Sequence, residues 1–248
     1  MGRSAAASTG IPLALELAAA RAGALGTEEI ARRLTDRFRL LTHGSLAVLP
    51  RHQTPRGMID WSHQLLSAPE QTLFRRLSVF AGGFALPAAE AVCAGETIAH
   101  ADVFDLLARL VDRSLVICEE RDGETRYRLL ETIREYGGER LREAGEDAAV
   151  RGRHRDYFLA LAERLDREQH GPELGDWLTR LEMELDNLRA ALHWCRIHRA
   201  ADAGLRMADA LFRFWDTRGH LREGRDWLVT FLSLSSAPDG VRARGLGS

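Results

Sequence analysis

The sequence predicts a mainly α protein: a short helical segment, a winged-helix domain with one β-hairpin, and then α-α repeats. Three observations carry this. Apolar residues at Val103, Phe104, Leu106, Leu107, Leu110 and Val111 recur at the three-to-four spacing that buries one helical stripe. The period then changes to two short β-branched and aromatic runs, Leu115-Val116-Ile117-Cys118 and Tyr127-Arg128-Leu129, around Asp122-Gly123, a pair that tolerates positive φ. After Gly145 only helical patterns follow, and Leu188-Arg189 with Trp194 recur as Leu221-Arg222 with Trp227 thirty-three residues later.

Taken in order, residues 1–9 are small and polar and are expected to be a disordered start. Residues 10–42 form a helical tail: Pro12 suits a first helical turn, and Thr27 caps a second helix whose stripe is Ile30, Leu34, Phe38 and Leu41. The stretch to Gly57 holds two prolines and no period, and reads as a linker. Residues 57–145 form the winged-helix domain. It begins with a helix over Met58–Leu66, and Ser67-Ala68-Pro69-Glu70 is a capping box for the next helix, with Leu73, Phe74, Leu77 and Phe80 on its apolar side. Gly82-Gly83 is a turn, a short helix follows near Pro87–Cys93, and after the hairpin a helix runs from Glu131 towards a stop at Gly145. Residues 146–236 read as TPR-like repeats with helices over 150–168, 174–198, 200–218 and 221–234, and 237–248 as a flexible end.

Composition narrows the function. With 248 residues, 45% hydrophobic and 28% charged, the chain has room for two or three small domains, and a net charge of −2 gives no sign of a polyanionic partner. All 34 basic residues are Arg, which excludes a phosphate-loop lysine and a Schiff-base lysine. Cys93, Cys118 and Cys195 sit in apolar surroundings and read as buried free thiols of a reducing cytoplasm. No metal-ligand spacing is present among the histidines. The apolar run 11–24 is too short to span a bilayer and lacks the flanks of a signal peptide.

A winged helix suggests DNA, and charge tests that suggestion. The helix in the groove-reading position offers Asp102, Asp105 and Asp112 against Arg109 and Arg113. The wing offers Glu119, Glu120, Asp122 and Glu124 against Arg121, Arg126 and Arg128. Both are net acidic, which argues against direct DNA binding, since phosphate neutralisation supplies much of that affinity. A protein partner is the expectation instead, with Trp177, Trp194, Trp215 and Trp227 as candidate contacts; the competing reading makes them repeat core.

Three phrases in order resemble the NB-ARC-like regulatory ATPases of the STAND class, and most of all the actinobacterial LuxR or antibiotic-regulator (SARP) type: Gly10-Ile11-Pro12-Leu13-Ala14-Leu15-Glu16-Leu17, then Ile59-Asp60-Trp61-Ser62, then Tyr127 to Tyr136. The resemblance implies nucleotide-sensing positions at Gly10 and Pro12 and at Leu130 and Glu131, although Leu130 stands where the family often has a phosphate-contacting His. It also implies the parts of the ATPase that are not here, so the expectation is a non-catalytic regulatory fragment that is no enzyme. ADP or ATP would bind only with a core supplied elsewhere, and no cofactor, metal or membrane is expected. The alternative is a winged-helix regulator acting on DNA directly.

Overall fold

The computed structural model describes residues 55–121, 123–168 and 174–235. The expected disordered start, the helical tail at 10–42 with Gly10 and Pro12, and the end at 237–248 lie outside the described residues.

Helices α1 (Pro55–Gln64) and α2 (Ala68–Leu77) open the described chain. The capping box between them forms: Glu70 accepts the Ser67 backbone N–H at 2.7 Å and the Ser67 hydroxyl at 2.8 Å. Helix α2 is the centre of this half. Leu73, Phe74 and Leu77 are fully buried, and α2 packs on both α4 (Val103–Asp112) and α5 (Glu131–Glu143). Helix α3 (Leu86–Cys93) and a short 3-10 turn, His100–Asp102, precede α4. The α4 stripe is Val103, Leu106, Leu107 and Leu110, whereas Phe104, expected on it, is 51% exposed.

The hairpin is antiparallel, β1 (Ile117–Arg121) against β2 (Glu124–Arg128), with Ile117 opposite Arg128 and Arg121 opposite Glu124. Gly123 takes φ +79 at its tip, as a tight hairpin turn requires. The strand starts two residues later than the apolar run predicts. Ser114 adopts φ +56 and the Leu115 N–H returns to Leu110 O at 3.0 Å, so Leu115 and Val116 are spent turning the corner out of α4.

Helices α6 (Asp147–Glu168), α7 (Leu174–Met183), α8 (Leu185–Ile197), α9 (Ala201–Arg218) and α10 (Leu221–Leu234) follow. Helix α6 packs on α3 on one side and on α8 and α9 on the other, so one continuous apolar core runs through both halves. The helix expected over 174–198 is broken at Glu184 (φ −100, ψ 3). No Gly or Pro lies there; a buried contact described below causes the break.

Helices α9 and α10 approach closely because each offers a glycine to a ring of the other, Gly204 to Phe231 and Gly224 to Trp215. The repeated positions are not equivalent in burial: Leu188 is inaccessible, while Leu221 is 50% exposed on the last described helix. Among the described residues no helix is long and apolar enough to cross a membrane.

Candidate functional site

Two surfaces of the winged-helix half can carry function. The first is the outward side of α4 with the hairpin. Because the α4 stripe faces the core, the opposite side presents Phe104, Asp105, Ala108, Arg109 and Asp112 to solvent. Arg113 at the helix end lies 3.8 Å from the buried Glu70 carboxylate, which its charge helps to keep ionised against the effect of burial. On the wing, Arg128 pairs with Glu119 at 3.2 Å, and Arg126 turns inward.

The second is a pocket of about 220 Å³ at the base of the hairpin, lined by Phe80, Gly82, Gly83, Phe84, Arg128, Leu129, Leu130, Glu131 and Arg134. Phe84 and Phe80 form part of its wall, their rings stacked at 4.5 Å, and the Phe84 backbone is fixed by two hydrogen bonds of 2.8 Å exchanged with Tyr127. Leu130 is the N-cap residue of α5 and brings no side-chain acceptor, so the first-turn N–H groups face the pocket region without a capping oxygen. Glu131 is engaged by Arg134 through two hydrogen bonds of 2.9 and 2.6 Å; these outweigh burial and hold its carboxyl below the usual range. The pocket therefore combines a helix N-terminus, two guanidinium groups and a compensating carboxylate. Both guanidiniums are already occupied by carboxylates, Arg128 by Glu119 and Arg134 by Glu131, so the pocket holds little uncompensated positive charge. Its volume lies below the roughly 300 Å³ at which ligand clefts usually begin.

The structure thus brings Leu130 and Glu131 into one cavity with Gly82 and Gly83, which the sequence had marked only as a turn. The tryptophans are elsewhere and apart. Trp177 and Trp215 are 4% and 1% exposed, and Trp194 and Trp227 are half-buried. The indole N–H groups of Trp177, Trp194 and Trp215 are buried and find no acceptor among the described residues, while Trp227 hydrogen-bonds Glu223. Trp194 lies between Arg155, whose guanidinium is 4.7 Å from its ring, and the stacked ring of His198.

Sequence reasoning missed a buried polar cluster behind the pocket. Asn187, fully buried, accepts the Ala81 N–H at 2.8 Å and donates to Gly83 O at 2.7 Å and to Glu184 at 2.9 Å. Glu184 pairs with Arg126 of the wing, and Arg126 also donates to Met183 O at 3.3 Å. His154 Nε2 lies 3.4 Å from Asn187 Oδ1, and burial pushes its pKa down to about 4, so it is neutral at pH 7. The one signal available was an Asn inside an apolar helical stripe, Asn187 beside Leu188.

Residues 66–142, from just before α2 to the last turn of α5, match the family described as a winged helix-turn-helix domain. Over 96% of its length the chain is 46% identical to a Mycobacterium tuberculosis protein named "Putative HTH-type transcriptional regulator", and equally to a Mycobacterium bovis protein of that name. The chain spans 27% of those relatives. Over 60% of its length it is 44% identical to an uncharacterized M. tuberculosis protein, of which it spans 38%. No solved structure matches the chain.

These findings overturn the expectation that direct DNA binding is unlikely. The domain matched and the names of the relatives both point towards DNA. The charge sum misleads by what it omits. Burial of Arg126 leaves the exposed wing no less acidic, but docking of such domains also draws on backbone N–H, hydroxyl and apolar contacts, which a sum over charged side chains leaves out.

Proposed function

We propose that this chain is a segment of a transcriptional regulator in which the winged helix-turn-helix engages DNA and the helical pairs behind it receive a protein partner. The observation that carries the reading is the winged helix-turn-helix match over 66–142, on a fold whose α4 keeps its apolar stripe inward and leaves Arg109 and Phe104 exposed on the side that would meet a groove. The helices over 147–234 serve as tetratricopeptide-like arms. Trp194 and Trp227, half-buried, are their accessible aromatic contacts, and the buried Trp177 and Trp215 shape the surface from below.

At a finer level the regulator is of the STAND kind, as the phrases around Ile59, Trp61 and Tyr127 to Tyr136 imply, and acts in the cytoplasm without catalysis of its own. The pocket holds Leu130 and Glu131, two of the nucleotide-sensing positions that the resemblance implies, and is small for a ligand cleft, in keeping with ADP or ATP binding only with an ATPase core supplied from outside residues 55–235.

Fluorescence anisotropy with labelled duplex DNA at rising salt tests the first reading. Binding that weakens linearly on a log-log plot with salt is expected, and no binding to any genomic duplex at 50 mM salt would sink it. Calorimetric titration with ADP tests the second, with no heat expected from this chain alone and micromolar binding as the result that refutes it.

A further inference from the structure

We propose that the first turn of α8 is a clamp on the wing, so that the position of the helical repeats sets how ordered the hairpin is. An isolated two-stranded hairpin is marginal in water, and among the described residues β1 pairs with no strand other than β2. Its order must be borrowed. The lender is the buried cluster around Asn187. From the wing, Arg126 of β2 crosses to Glu184 and to the Met183 carbonyl, which the break between α7 and α8 has released from helical bonding. From the turn beside the wing, Ala81 and Gly83 are both held by Asn187, and Phe84 one residue on is paired with Tyr127.

The clamp therefore grips both sides of the same strand. The fit at the turn is close: at Gly82, φ +79, a Cβ would stand 2.8 Å from Asp186 Oδ2, so α8 is pressed against the backbone there. Each member of the network is satisfied only while the others stay in place. Withdrawing α8 would leave Arg126 buried without its carboxylate, and the network then opens as a unit. A partner that shifts α8 on the repeats thereby loosens the hairpin, some distance from where it binds. The clamp itself stands on the geometry alone; its effect on DNA rests on the function proposed above.

Amide exchange followed by mass spectrometry on the whole chain tests it, comparing wild type with Asn187→Ala and with the double variant Arg126→Met/Glu184→Met, which replaces the buried pair by apolar volume and protects the fold. The expected result in both variants is exchange at least tenfold faster over residues 117–128, with α2 unchanged. Unchanged exchange in the hairpin overturns the proposal. Equal acceleration in α2 and α9 also overturns it, because the cluster would then be general core. In parallel, the double variant should change duplex affinity threefold or more. A wild-type chain that binds no DNA counts against the DNA reading alone and leaves the exchange result to decide the clamp.

Discussion

Gly224 lies beneath Trp215, so close that a Cβ on it would stand 2.5 Å from the indole Cε3. The relationship is reciprocal along the same helix pair, since a Cβ on Gly204 would meet the Phe231 ring at 2.4 Å. Helices α9 and α10 are thus fitted ring over glycine at two levels.

Gly204→Ala and Gly224→Ala are expected to destabilise the repeats despite the helix propensity of Ala. The gain from propensity is about 1 kcal/mol, whereas forcing a ring out of a packed site costs about 1–3 kcal/mol. Urea unfolding should therefore show a net loss of up to about 2 kcal/mol for each. Gly138→Ala is the opposite case. Its nearest contact is Ser78 Oγ at 3.8 Å, an ordinary van der Waals distance, and it should gain about 0.5–1 kcal/mol. A midpoint unchanged in all three would refute the packing argument.

Glu146 predicts the acid limit of the winged-helix half. Burial alone would raise its pKa, but hydrogen bonds from Arg76 and Arg75, at 2.7 and 2.8 Å, hold it at about 2 against an ordinary 4.5. A depressed carboxylate contributes stability that is complete above its unfolded pKa and is lost as pH falls through the folded one. The contribution should fade between pH 4.5 and 2. Glu146→Gln should cost about 1.5–3 kcal/mol at pH 7 and almost nothing at pH 2, as thermal melts at the two values can check. An equal cost at both would contradict it.

Tyr136 donates its hydroxyl to Asp60 Oδ1 at 2.7 Å, tying α5 to α1, and burial followed by that bond raises its pKa. Tyr136→Phe removes the donor and keeps the ring against Phe74 and His63. A loss of about 1 kcal/mol is expected in denaturant titration. Asp60→Ala in the Tyr136→Phe background should add little, and an additive second loss would show that Asp60 acts through another partner.

The three thiols should react at very different rates. Cys118 is exposed on β1, contrary to the expectation that all three are buried. Burial pushes Cys93 up to about 12 and Cys195 up to about 11, so neither supplies thiolate at neutral pH. Treatment of folded protein with a disulfide reagent should titrate one thiol rapidly, and Cys118→Ser should abolish that phase. Two fast thiols would place Cys93 or Cys195 outside the core.

On DNA, Arg109→Ala should weaken duplex binding and lower the salt slope by about one, the signature of one lost phosphate contact. Arg164→Ala on α6, also exposed but on the repeat side, should leave the slope unchanged. Equal effects would mean that binding is a matter of overall charge.

Helix periodicity made most of the fold legible, because α4 and α5 each bury a stripe and α2, buried on more than one side, carries its cap in the sequence. Gly123 announced the hairpin for the same reason, as its backbone angle is one few residues adopt. Register was less legible. Leu115 and Val116 read as strand because they are β-branched or apolar, and only the left-handed turn at Ser114 shows them to be corner residues. Cys118 was misjudged because alternation on a two-stranded hairpin leaves one face to solvent. The cluster at Asn187 was invisible for another reason: its partners, Ala81, Gly83 and Arg126, lie more than fifty residues away, and long-range polar pairing leaves no periodic trace.

From Asp176 to Ile197 the sequence has no helix breaker, so local propensity favours one straight rod through Glu184. What bends it is a carboxylate answering an arginine from another element. The break is therefore a tertiary feature: it falls where Glu184 meets Arg126 of the wing, a contact that no local pattern of residues announces.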